Sequence, residues 1–150
     1  MTGIRLRSAR AQDSAGLADI FLAARHTAMP WLARPHTDDE TRAWVDTVLV
    51  PGGHVTVAER DGRLVGFADV ADGWLHHLYV SPAHQGGGVG SALLDHAKSL
   101  EPNGFRLWVF QRNTPALAFY AVRGCIEVRR TDGAGNEERE PDVLLRWPPA

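Results

Sequence analysis

Four glycines in five positions, Gly86-Gly87-Gly88-Val89-Gly90, separate an apolar run ending at Val80 from a segment with helical spacing. Backbone without side chains can curl tightly there and expose several N–H groups. The start of the next helix adds unpaired N–H groups and a partial positive charge. Such a turn can hold phosphate or pyrophosphate. The plainer reading is a tight connection, and the density of glycine favours the anion site. Two familiar nucleotide patterns do not fit. A P-loop places lysine after its last glycine, but Ser91 follows Gly90. A Rossmann turn has G-x-G-x-x-G and an acid further on; here the spacing is G-x-G-x-G and the later region is Trp108-Val-Phe-Gln.

The elements that must carry this turn are short and punctuated by proline and glycine. Ile4–Arg7 alternates as a strand, and Leu17, Ile20, Phe21 and Ala24 place a helix over about Asp13–Thr27, capped by Asp13 or Ser14. Thr37–Glu40 has the form of a capping box and opens a second helix that stops before Pro51. Val55–Glu59, Leu64–Val70 and Trp74–Val80 read as strands joined at Asp61-Gly62 and Asp72-Gly73, both hairpin signals. After the glycine turn, Val89, Leu93, Ala97 and Leu100 mark a third helix, and Phe105–Phe110 a strand. Thr114 as N-cap with Pro115 opens a last helix that runs to Arg123 and stops at Gly124. Ile126–Arg130 and Val143–Trp147 close the chain as an antiparallel pair. The fold class is α/β: a mixed, mostly antiparallel twisted sheet with a central parallel pair and helices on both faces.

With 150 residues, 1–150 reads as a single domain large enough for a core. Apolar residues make up 44% and charged residues 23%, which excludes disordered and fibrous classes. Sixteen basic against eighteen acidic residues give −2, so no basic excess points to nucleic acid. No apolar stretch reaches membrane-spanning length, and Met1–Arg10 lacks the apolar region of a secretory signal. The lone Cys125 reads as a small buried hydrophobe, and the expected location is the cytoplasm. No metal is expected: adjacent histidines on a strand face opposite ways, which tells against His76, His77 and His84 as ligands.

Gln85, Gly88 and Gly90 satisfy [RQ]-x-x-G-x-[GA], and Leu78-Tyr-Val-Ser-Pro precedes them. This segment resembles motif A of the GNAT superfamily of acetyl-CoA-dependent N-acetyltransferases. Asn113-Thr-Pro-Ala116-Leu-Ala-Phe-Tyr120-Ala-Val-Arg-Gly124 resembles its motif B, with Cys125 where phenylalanine is usual. The resemblance implies that acetyl-CoA is the cosubstrate and that its pantetheine arm enters a wedge between the strands Trp74–Val80 and Phe105–Phe110. It assigns the arm and thioester to the strand Leu78, Tyr79 and Val80, and the pyrophosphate to Gln85, Gly86, Gly87, Gly88, Val89, Gly90 and Ser91. Asn113 and Ala116 face the arm from the other side. Tyr120 is implied as the acid that protonates the departing thiolate, the alternative being a packed ring. For the base, His76 shares a face with Leu78 and Val80 under regular alternation, and a bulge would exchange it with His77; both can also be structural.

The resemblance further implies that the first two helices and the last hairpin enclose the acceptor. They bring His26, Trp31, His36, Trp44 and the acidic loop Asp132–Glu140. Trp31, His36 and Trp74 are the expected acceptor contacts, though Trp31 can instead pin the connection between helices, and the loop can be a solvated tip. Three functions stand: acetylation of a small-molecule amine, acetylation of a protein or peptide, and non-catalytic acyl-CoA binding. The first is preferred. A homodimer is left open.

Overall fold

The structure is a computed structural model that describes residues 3–148. In chain order its elements are β1 (Arg5–Ser8), α1 (Ser14–Ala28), α2 (Asp38–Trp44), β2 (Val55–Arg60), β3 (Arg63–Ala71), β4 (Trp74–Val80), α3 (Val89–Leu100), β5 (Phe105–Phe110), α4 (Thr114–Ala121), β6 (Ile126–Arg130) and β7 (Asp142–Trp147). A π turn, Val45–Leu49, prolongs α2.

Local chemistry accounts for most boundaries. Thr37 and Glu40 exchange reciprocal bonds of 2.8 and 3.1 Å, the expected capping box. Asp61 and Asp72 take φ of 55° and 54°, each followed by a positive-φ glycine, as two-residue hairpin turns require. The expected caps differ at two helices. Asp13 precedes α1, but its carboxylate accepts from the Arg10 N–H at 2.7 Å and from the Arg7 guanidinium at 2.8 and 3.0 Å. In α4 the cap is Asn113 rather than Thr114, its Oδ1 accepting from the Ala116 N–H at 3.4 Å. That helix ends at Ala121, two residues earlier than expected, and Gly124 turns the chain with φ of 95°.

One seven-stranded sheet has the order β1-β2-β3-β4-β5-β7-β6. All pairs are antiparallel except β4–β5, as the strand–helix–strand order requires. Helices cover both faces. Leu93, Leu94 and Ala97 of α3 pack with Val65, Leu75 and Leu107 on one side. Leu17 and Ile20 of α1 pack with Val45, Val57 and Phe67 on the other. Each apolar helical stripe thus covers its own sheet face. Among the described residues no helix is long and apolar enough to cross a membrane.

Candidate active site

The parallel pair is barely a pair. β4 and β5 share one bridged position, Trp74 with Arg106, and separate beyond it. The β4 edge facing that gap carries unspent peptide groups. Ser81 donates its N–H toward β3, to Val65 O at 2.8 Å, so alternation turns the N–H groups of Leu78 and Val80 into the gap. Gln85 Nε2 donates to the gap-side Val80 carbonyl at 3.0 Å, tying the glycine turn to the strand end.

Within that turn Gly86 and Gly88 take φ of 78° and 86°, and a Cβ at either would meet nothing within 4 Å. The turn therefore needs glycine for its conformation and leaves open space in front of it. Gly90 is glycine for another reason: a Cβ there would lie 3.2 Å from the Phe119 ring. Arg60 Nη2 donates to Gly87 O at 2.9 Å, and Ser91 Oγ accepts from Arg123 at 2.9 and 3.1 Å. The Val89 side chain is buried in the core, which leaves its N–H as the group available to a ligand. Open glycine backbone followed by an α-helix suits the pyrophosphate of a CoA-like molecule, and the gap suits its extended arm.

The gap opens into a cavity of about 1280 Å3. Leu78, Asn113, Ala116 and Tyr120 line it on the gap side, and α1, the α1–α2 connection and the β6–β7 loop line the rest. Tyr120 is 8% exposed, and burial raises its phenol pKa above the usual 10, so the hydroxyl stays protonated.

The two histidines of β4 do not alternate regularly. Asp69 pairs with His77 while Val70 pairs with Leu75, which leaves His76 as the extra residue of a β-bulge. From His77 onward the strand alternates regularly, so His77 shares the Tyr79 face toward α1 and α2 and does not exchange places with His76; its ring lies 5.4 Å from Trp44, 5.8 Å from Phe21 and 6.1 Å from Tyr79. Burial, helped by the Arg25 charge, pushes its pKa down to about 4. His76 remains exposed at the cavity edge, stacked on Trp74.

His36 lines the mouth, its Nε2 2.9 Å from Glu137 Oε2, and this contact raises its pKa. The pair joins the α1–α2 connection to the β6–β7 loop. His26 and Trp44 also line the cavity. Two expected acceptor contacts do not. Trp31 packs edge-on against Phe110 and beneath Arg112, at 4.3 Å, and so pins the connection. Trp74 sits at the closed end of the wedge beside the β4–β5 bridge, outside the cavity lining.

Sequence reasoning passed over Arg25 and took Glu138 only as one acid of the Asp132–Glu140 loop; both are in the lining. Arg25 Nη1 donates to Tyr79 Oη at 2.9 Å and its Nη2 lies 3.7 Å from Glu138 Oε2. A signal existed for Arg25: it falls four residues after Phe21 on the apolar stripe of α1. No group of three or more His, Cys, Asp or Glu among the described residues is placed to hold a metal ion.

The pattern of the acetyltransferase (GNAT) domain matches residues 51–126. The chain belongs to this family. GNAT domains take their acyl group from acetyl-CoA, in keeping with the glycine turn and the strand gap. Among curated relatives, the peptidyl-lysine N-acetyltransferase YiaC of Escherichia coli is 34% identical over 61% of this chain and 62% of its own length. The L-amino acid N-acyltransferase MnaT of the same organism is 27% identical over 88% of this chain and 85% of its own length. The chain thus spans less than two thirds of the first of these relatives. The solution structure of apo YjaB from Escherichia coli superposes with a TM-score of 0.83 at 23% identity, covering 99% of both chains, a likeness of fold.

Proposed function

We propose that residues 1–150 form one GNAT domain that moves an acetyl group from acetyl-CoA to the primary amine of a small molecule by direct attack. The observation carrying this reading is continuity: the gap between β4 and β5 and the acceptor-side loops belong to a single cavity, with Tyr120 in its wall. When bound, acetyl-CoA supplies an activated thioester. The gap-side N–H groups of Leu78 and Val80 hold the arm and the thioester carbonyl, where they favour developing negative charge. The amides from Gln85 to Ser91 hold the pyrophosphate, and Asn113 and Ala116 bound the arm on the α4 side.

Tyr120 keeps a proton at its hydroxyl for the departing sulfur. His77 is neutral at pH 7, yet with a pKa of about 4 it is too weak a base to draw a proton from an ammonium. His76, at the solvent edge of the same cavity, keeps the proposed role of base.

The acceptor preference rests on the cavity mouth. The His36–Glu137 contact ties two loops across it, which suits an enclosed small molecule better than an extended chain. The relatives include one named for peptidyl-lysine and one for L-amino acids, so both acceptor classes belong in the assay. Release of CoA from acetyl-CoA should be measured with amine and peptide panels. Turnover with small amines supports the reading, turnover with peptides alone replaces it, and CoA binding without any turnover makes the protein a binding module.

A further inference from the structure

We infer that Arg25 anchors a carboxylate of the acceptor, so that the small amine is an amino acid with a free carboxyl group; this rests on the small-amine reading above. The charged groups of the cavity lining divide into those with settled partners and one pair without. Glu40 holds the Thr37 N–H at 2.8 Å, and Glu137 faces His36 at 2.9 Å. Asp142 accepts from Asn136 at 3.0 Å and from Thr131. Arg34 pairs with Asp38, and Arg129 lies over the Trp108 ring at 5.5 Å.

Arg25 is placed differently. Its side chain is 21% exposed, and the guanidinium lies over Phe21 at 5.1 Å while donating to Tyr79 Oη at 2.9 Å. Its charged neighbour, Glu138, is 10% exposed and stands off at 3.7 Å, beyond hydrogen-bond length. A guanidinium carries five N–H donors in a planar fork, and one is spent in a hydrogen bond among the described residues. Burial raises the Glu138 carboxyl pKa even with Arg25 beside it, so the contact leaves the Glu138 charge incompletely compensated.

A substrate carboxylate can take the fork in two parallel bonds and displace Glu138. The position is also right. Tyr79, which braces Arg25, lies in the chain between Leu78 and Val80, whose N–H groups face the gap. An amine and a carboxylate of one small molecule can therefore reach the gap and Arg25 together. The remaining wall is apolar at Leu22, Met29, Leu32 and Phe110, which suits an apolar side chain.

The test uses L-leucine, L-methionine and L-phenylalanine, with their α-amides and their decarboxylated amines, titrated into wild-type protein saturated with CoA. The acids should bind about tenfold or more tightly than the amides and amines, the scale of a charge-assisted contact. Arg25→Gln, which can still bond Tyr79, should erase that preference, and Arg25→Lys should restore part of it. In steady state the KM for the acid should rise in Arg25→Gln, with kcat and the KM for acetyl-CoA little changed. Equal binding of acids and amides to wild type, binding by none of them, or an unchanged preference in Arg25→Gln would each overturn the inference. If the Gln variant does not fold, the wild-type series can still overturn the inference and Arg25→Lys tests the residue. Amides and acids turned over equally refute only the carboxylate anchor. Acids bound through Arg25 without turnover of any amine refute the acetyltransferase reading and leave the anchor standing.

Discussion

Replacing Tyr120 with phenylalanine removes one oxygen and almost nothing else. The ring is buried at 8% exposure and meets Phe119 edge-on, centroids 5.1 Å apart, and phenylalanine keeps both features. Loss of the hydroxyl should therefore change stability by no more than about 1 kcal/mol. The catalytic effect should be much larger. With a pKa above 10, under about 0.1% of the phenol is ionised at pH 7, so the proton is in place in essentially every molecule. A thiolate of parent pKa about 8.5 that must leave without it loses a positioned acid, typically worth about 10²–10⁴ in rate or 3–5 kcal/mol. The assay pairs calorimetric titration of CoA with kcat from CoA release at saturating acceptor, and urea melts control for folding. Unchanged CoA affinity with kcat down at least a hundredfold is the expected result. Unchanged affinity with wild-type kcat would return the proton to solvent and leave Tyr120 as packing.

Gly88→Trp puts a bulky side chain at a φ of 86° and into the open space before the turn, so CoA affinity should fall well over tenfold, more than about 1.4 kcal/mol; unchanged calorimetry would move the pyrophosphate elsewhere. His36 has its pKa raised in the folded protein by Glu137, so the stabilising contact is complete below about pH 6.5 and fades as pH rises through the raised value. Glu137→Gln should return the His36 proton resonance titration to about 6.5, and an unaltered titration would deny the contact in solution. Arg7 spans Asp13 and Glu59, with Asp13 7% exposed in its side chain, so Arg7→Met should destabilise by about 3 kcal/mol in urea. The Arg7 bond holds the Asp13 pKa below its ordinary value, so that stability is present above about pH 4 and is lost as pH falls through the depressed pKa. A urea midpoint flat across that range would contradict the assignment.

Features set by a few adjacent residues were legible in the sequence. The Asp-Gly hairpins, the Thr37–Glu40 box and the glycine turn each follow from what a short backbone stretch must do. The parallel pair followed from strand–helix–strand order. What escaped depends on distant partners. The family resemblance foresees a bulge in β4, but a period of two cannot place it at His76, because register is fixed by pairing with β3. Asn113 and Thr114 are both competent caps, and reach decided between them. The prolines around Trp31 mark a bend without saying which side of it the indole takes. Glu138 lies in a loop, where no periodicity announces burial, whereas Arg25 could have been picked out by helical phase.

The unzipped seam between β4 and β5 makes the energetics of the molecule conditional on its small-molecule environment. With one bridged position joining them, β1–β4 and β5–β7 are two half-sheets held mainly by what packs across them. An extended arm that bonds the gap-side amides acts as an interior strand and ties the halves together. Any ligand that binds only this closed arrangement stabilises it by RT ln(1 + [L]/Kd), about 2.7 kcal/mol at a hundredfold excess over Kd. Resistance to proteolysis and to heat should therefore track the acyl-CoA supply. The amides of Leu78 and Val80 should show it most sharply: turned into the open gap, they exchange fast with solvent deuterium in the ligand-free protein and slow when the gap is filled.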